Sequence, residues 1–126
     1  MNYKKINFNE MNKTEADTTF PKLLDKKNDK VLRDSFILIS PENSETEKLT
    51  AGFTAVYPGC STGGHSHREY EEIYFITKGK GIAQIGEEKF DIVAGDCFHI
   101  PYGGSFHRVF NPNNVNLEYY WVLNSK

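Results

Sequence analysis

From Ser35 to the last residue, apolar and β-branched residues come in short runs, each stopped within a few positions by glycine, proline, asparagine or aspartate. Residues 36–39 end at Pro41-Glu42-Asn43-Ser44, and residues 49–57 end at Pro58-Gly59. Residues 71–77 run into Lys78-Gly79-Lys80-Gly81, read as a hairpin turn into 82–85. Gly86 and then Ala94-Gly95-Asp96 punctuate the passage through 90–93 to 97–100, and 106–110 and 117–123 finish the set. Seven or eight short strands with turns every 8–12 residues or so predict an all-β sandwich or barrel and leave no room for βαβ crossovers. At 126 residues the chain is one domain's worth, and a jelly-roll barrel is among the few natural solutions for it.

Alternation assigns faces within two of these runs. Leu49, Ala51, Phe53, Ala55 and Tyr57 alternate with Thr50, Gly52, Thr54 and Val56, which predicts a half-buried strand with the odd positions inward. Glu72, Tyr74 and Ile76 share one face of the next run, and Ile73, Phe75 and Thr77 the other. A carboxylate at the start of an apolar strand face is unusual, because burying an isolated one costs several kcal/mol unless it is paired or ligates a metal.

Residues 1–34 have a different texture. They hold eight lysines and arginines against six acids, whereas the other 92 residues hold seven against eleven. We therefore divide the chain into a polar N-terminal arm, 1–34, with loose or short helical pieces around Phe20-Pro21-Lys22-Leu23-Leu24, and a β-barrel domain, 35–126. The arm is either a mobile leader or a segment packing on the barrel or a second subunit. A formal charge of −2 gives no basic excess for nucleic acid. No run approaches the 20 or so apolar residues of a membrane span, and no apolar stretch follows the first lysines, so the expectation is a cytoplasmic protein. Two cysteines, Cys60 and Cys97, are too few for a disulfide scaffold.

Histidine placement points to chemistry. Three of the four histidines lie in two short segments, His65-Ser66-His67 and His107. Imidazoles at i and i+2 on an extended segment point the same way. With Glu72 five residues on, two imidazoles and a carboxylate converging at a strand end would form an N/O site for a divalent transition metal with open positions left over.

The spacing Gly59-(x5)-His65-x-His67-(x4)-Glu72-(x6)-Gly79 resembles the first motif of the cupin superfamily, and Gly95-(x5)-Pro101-x-Gly103 followed by His107-(x3)-Asn111 resembles the second. The resemblance spans about residues 49 to 123 and implies a double-stranded β-helix, or jelly-roll barrel. It also implies His65, His67, Glu72 and His107 as ligands of one divalent ion per chain, whether Mn, Fe, Zn or Ni. One departure is present: three residues, Gly104-Ser105-Phe106, stand where the second motif usually has two. A β-bulge between Pro101 and Gly104 would absorb the extra residue and keep His107 inward.

His99 is expected at a surface or interface and Glu71 pointing away from the site. Arg68 and Arg108 each follow a candidate ligand directly, so alternation turns both away from the metal. Leu117, Tyr119, Trp121 and Leu123 share a face suited to filling the barrel or its mouth. Tyr74 stands one step deeper than Glu72 and is either a general acid–base, as a tyrosine at this place is in some cupin lyases, or an aromatic wall. Fold does not fix chemistry. The resemblance implies a metal-dependent isomerase, lyase or decarboxylase acting on a small polar metabolite, with a non-catalytic binding or sensing module and an iron-dependent dioxygenase as alternatives. The apolar outward residues Ile73 and Phe75 predict a homodimer.

Overall fold

The computed structural model describes residues 3–7, 9, 33–64, 66, 69–104 and 106–124, with backbone alone at Arg33 and Asp34. The helical piece anticipated around Phe20–Leu24 lies outside the described residues. Eight strands follow one another: β1 (Arg33–Ile39), β2 (Leu49–Val56), β3 (Glu72–Lys78), β4 (Lys80–Ile85), β5 (Glu88–Val93), β6 (Cys97–Ile100), β7 (His107–Phe110) and β8 (Leu117–Asn124). They form a five-stranded sheet in the order β1-β2-β8-β3-β6 and a three-stranded sheet in the order β5-β4-β7, with every pairing antiparallel. The all-β jelly-roll expectation holds. No helix among the described residues is long and apolar enough to cross a membrane.

Only Gly79 separates β3 from β4, yet the two strands belong to different sheets. The segment 78–81 is therefore a corner and not the predicted hairpin turn. Gly79 sits at φ 82°, and a Cβ there would meet the Asn116 carbonyl oxygen at 2.5 Å, so glycine alone fits the change of direction. The true hairpin comes next, where Ile85 pairs with Glu88 around Gly86-Glu87. Ala94-Gly95-Asp96 then returns the chain to the larger sheet; the Asp96 carboxylate fixes that turn by accepting the Val93 N–H at 2.8 Å.

Alternation along β3 is as expected: Glu72, Tyr74 and Ile76 are buried, while Ile73, Phe75 and Thr77 are exposed. In β2 the expectation fails, because residues 52–56 are all buried. Val56 joins the barrel core with Tyr74, Ile76, Leu117 and Tyr119. Phe53 and Ala55 instead form an outer cluster with Phe36 and Leu38, against which Ile6 packs. The even positions of β2 thus face the interior. The odd ones are buried on the outer face, where Phe53 and Ala55 cluster with Phe36 and Leu38 of the neighbouring β1 and Ile6 packs against them. On the inner face, Trp121 occupies the space a side chain at position 52 would need, and its indole N–H donates to Thr54 Oγ1 at 2.9 Å.

Candidate metal centre

Glu72 opens β3 and His107 opens β7, so the two come from different sheets and meet across the barrel. They are only 5% and 2% exposed, and His107 Nε2 lies 3.3 Å from Glu72 Oε1. The stretch Pro101–Gly104, where a bulge was expected to absorb the extra residue of the second motif, lies in the loop between β6 and β7, outside either ladder. β7 pairs with β4 in unbroken register from Ile85–His107 to Ile82–Phe110. The slack is taken up ahead of the strand, where Gly103 (φ 112°) and Gly104 (φ 78°) supply two backbone conformations that L side chains rarely adopt. His107 consequently enters β7 with its imidazole inward.

The loop leading to the histidine pair is tied to the same strand. Thr62 N–H donates to the Val109 carbonyl at 3.0 Å, and Val109 N–H donates to Thr62 Oγ1 at 3.1 Å. Gly64 lies directly against the Phe106 ring, one residue before His107. Asn111, the last residue of the second motif, clamps the first motif in place. Its backbone accepts from Gly59 N–H at 2.7 Å and donates to the Cys60 carbonyl at 2.8 Å. Its side-chain amide donates to the carbonyls of Val56 at 2.9 Å and Val115 at 2.7 Å. His65, His67 and Arg68 lie outside the described residues.

Among the described residues no three His, Cys, Asp or Glu side chains converge as a metal cage. The two that do meet fit a shared ion. Donors each about 2.1 Å from one metal, at tetrahedral or octahedral angles, stand about 3.0–3.4 Å apart, and the observed separation falls in that range. An imidazole nitrogen and a carboxylate oxygen are also the ligand types that zinc, manganese, iron and nickel accept.

Tyr74 is buried two residues deeper on β3, its ring edge-on to His107 at 6.4 Å between centroids. It stacks on Tyr119 at 4.6 Å and tilts against Phe98 at 5.2 Å, and Phe90 stands edge-on to Phe98 at 5.4 Å. One flank of the interior is therefore a continuous aromatic wall. His99 and Glu71 point away from the site, as expected, and pair with each other at 2.7 Å on the outside of the larger sheet. Cys60 is buried and Cys97 exposed, both as free thiols. Arg108 points outward onto the Phe110 ring, 4.0 Å from its centroid, and donates to Ser61 Oγ at 3.3 Å. Sequence reasoning turned Arg108 away from the candidate metal site but missed this grouping. The i, i+2 spacing of Arg108 and Phe110 on one strand was the available signal.

A cupin-domain family profile matches residues 52–123, which includes both Glu72 and His107. The chain belongs to the cupin family. It is 32% identical over 106 residues to an uncharacterized protein of Methanocaldococcus jannaschii, covering 84% of this cupin and 80% of that protein. It is 37% identical over 67 residues to an oxalate-binding protein of Thermotoga maritima, covering 52% of this cupin and 54% of that protein. Among solved structures, a predicted oxalate decarboxylase of Thermotoga maritima superposes with a TM-score of 0.67 at 28% identity, over 75% of this cupin and 81% of that chain. A sugar phosphate isomerase of Silicibacter pomeroyi superposes with a TM-score of 0.75 at 16% identity, over 98% and 76% of the two chains, which is a likeness of fold.

Proposed function

We propose that this cupin is a metal-dependent enzyme acting on a small, polar, carboxylate-bearing metabolite, with His65, His67, Glu72 and His107 holding one divalent ion. The observation that carries the reading is the convergence of Glu72 and His107, two buried side chains from opposite sheets, to 3.3 Å. The seating of Gly64 against Phe106 supports it, since it brings the entry to the histidine pair beside His107. A divalent ion bound there would act as a Lewis acid on a carboxylate, carbonyl or hydroxyl oxygen of the substrate. The wall of Tyr74, Tyr119 and Phe98 would exclude water from that side, and the Tyr74 hydroxyl would hold or move a proton at the substrate. Oxalate is the ligand named for one relative and implied by the name of a solved neighbour, so small dicarboxylates are the first substrates to try.

A second reading is a non-catalytic binding module. It is favoured by the close packing of Tyr74 between Tyr119 and Phe98, which suits a wall better than a mobile acid–base. Metal analysis of the purified protein, followed by turnover assays on dicarboxylates with and without oxygen, separates the readings. Oxygen-independent turnover that falls about 10²–10⁴-fold in Tyr74→Phe, with metal content unchanged, is the expected result. Near-normal turnover in Tyr74→Phe leaves the tyrosine as wall. Metal and ligand binding without turnover favours the binding module, and oxygen consumption with iron favours a dioxygenase.

We also propose that two copies associate through the outer face of the five-stranded sheet. Ile73 and Phe75 on β3 and Tyr120 and Val122 on β8 are paired across the sheet and each is 38–48% exposed. A neutral, apolar patch is self-complementary about a two-fold axis, as a patch of one charge sign is not.

A further inference from the structure

We propose a second ligand site, for a small anion, on the outer face of the three-stranded sheet, behind the strand that carries His107. A cavity of about 320 Å³ opens there between the 59–61 loop and β7, with Arg108, Phe110, Ser61 and Asn111 among its walls. Its place follows from the ladder. Ser61 bridges to Phe110, so the loop lies beside β7 as an added edge, and residues 108 and 110 face away from the barrel interior.

Arg108 is the recognition element. Its guanidinium lies on the Phe110 ring at 4.0 Å and is held from the side by the 3.3 Å bond to Ser61 Oγ, so its orientation is set before any ligand arrives. Among the described residues no carboxylate pairs with it, and its Nε–H is buried without an acceptor. A guanidinium with donors unspent and no counter-ion is matched by a planar or tetrahedral anion, which it can grip through two N–H groups. Positive charge is reinforced across the sheet. Lys89 and Arg108 both pair with Gln84 and so stand in one row, with the Lys89 ammonium 5.6 Å from the Phe110 centroid. Asp91 lies one row further along, beyond Ile82.

The backbone does not compete for the ligand. The N–H groups of Gly59, Cys60 and Asn111 are spent on Asn111, Tyr57 and Cys60 carbonyls, and the Asn111 amide is fully engaged in holding the loop. Recognition therefore rests on the Arg108 guanidinium and the Ser61 hydroxyl, which accepts from Gly63 N–H and Arg108 and keeps its own proton to donate. That pair suits a carboxylate or phosphoryl group, and the cavity admits a small organic acid rather than a large cofactor. The site is separate from the metal centre, since it uses the opposite face of β7.

The test is an NMR titration of the full chain, stripped of metal with a chelator, with inorganic phosphate and separately with succinate at constant ionic strength, following the Arg108 Nε–H and Ser61 amide signals. Saturable shifts with millimolar or tighter affinity are expected from at least one probe. Phosphate alone would assign a phosphoryl ligand, succinate alone a carboxylate, and both a shared anion site. Arg108→Met keeps the stem on the Phe110 ring and removes the charge; it is expected to weaken binding about tenfold or more. A spectrum that remains dispersed for this variant shows that the fold survives. Arg108→Lys, which keeps charge without the fork, is expected to bind between the two. Shifts that chloride reproduces, shifts unchanged in Arg108→Met, or no saturable shift with either probe would overturn the proposal.

Discussion

β3 and β7 begin alike and differ on their backs. Each opens with a buried polar side chain, Glu72 or His107, and continues inward with an apolar residue that helps build the barrel core. Outward, β3 presents Ile73 and Phe75, each 48% exposed, whereas β7 presents Arg108 stacked on Phe110. On the inner faces the two polar side chains meet each other. The outer faces differ in chemistry, one apolar and the other carrying a guanidinium on an aromatic ring, and the two proposals for them differ accordingly. Because strand side chains alternate, each face can change without disturbing the other.

The sharpest test of the inner role proposed for both strands is removal of either side chain. Glu72→Ala and His107→Ala are each expected to lower metal affinity about 100-fold or more, taking the purified protein from about one ion per chain to almost none by elemental analysis. Unequal losses would break the symmetry between the two strands. Restoring metal to the stripped wild-type protein should raise its stability by about 2.7 kcal/mol at a hundredfold excess over the dissociation constant, read by calorimetry. Gly79→Ala disturbs the corner that carries the chain from β3 into the sheet of β7. With φ near 82° and a carbonyl oxygen at 2.5 Å from the new Cβ, a loss of about 1–3 kcal/mol in denaturant unfolding is expected.

The outer faces are compared through Phe75→Glu and Arg108→Met in analytical ultracentrifugation. The first is expected to leave a folded monomer of 14.4 kDa where the wild type sediments at twice that mass, and the second to leave assembly unchanged. A monomeric wild type would remove the role assigned to the outer face of β3. The smallest effect is expected at the His99–Glu71 pair beside that face. Its side chains are 53% and 43% exposed, so Glu71→Gln should cost less than about 1 kcal/mol in thermal unfolding.

What could be read in advance follows from which faces are buried. Alternation was sufficient on β3, where one face packs and the other does not, and it placed Glu72, Tyr74, Ile73 and Phe75 correctly. It failed on β2, because burial of the odd positions by β1 and Ile6 is a tertiary event that no local period records. Gly79 and Gly86 carry the same turn signal, yet one redirects the chain between sheets and the other closes a hairpin. Only the positions of distant partners such as Asn116 distinguish them. Of the four side chains expected to hold the metal, Glu72 and His107 are brought together. The motif spacing pointed to both, but the means of accommodating the extra residue, two glycines in a loop in place of a bulge, depended on backbone angles that spacing does not encode.

β8 is the eighth strand in sequence and the middle one of its sheet, lying between β2 and β3. As the chain leaves the ribosome, β2 and β3 must each wait with an unsatisfied edge until residues 117–124 arrive between them. At a synthesis rate of about 5–20 residues per second, the interval between the emergence of β3 and that of β8 is on the order of seconds. The strand carrying Glu72 can pair with β6 on one edge earlier, but its other edge is covered only after β7 has been made. A nascent chain halted before β8 would present two unpaired borders, one on β2 and one on β3, so the larger sheet is joined into one piece only when residues 117–124 are in place.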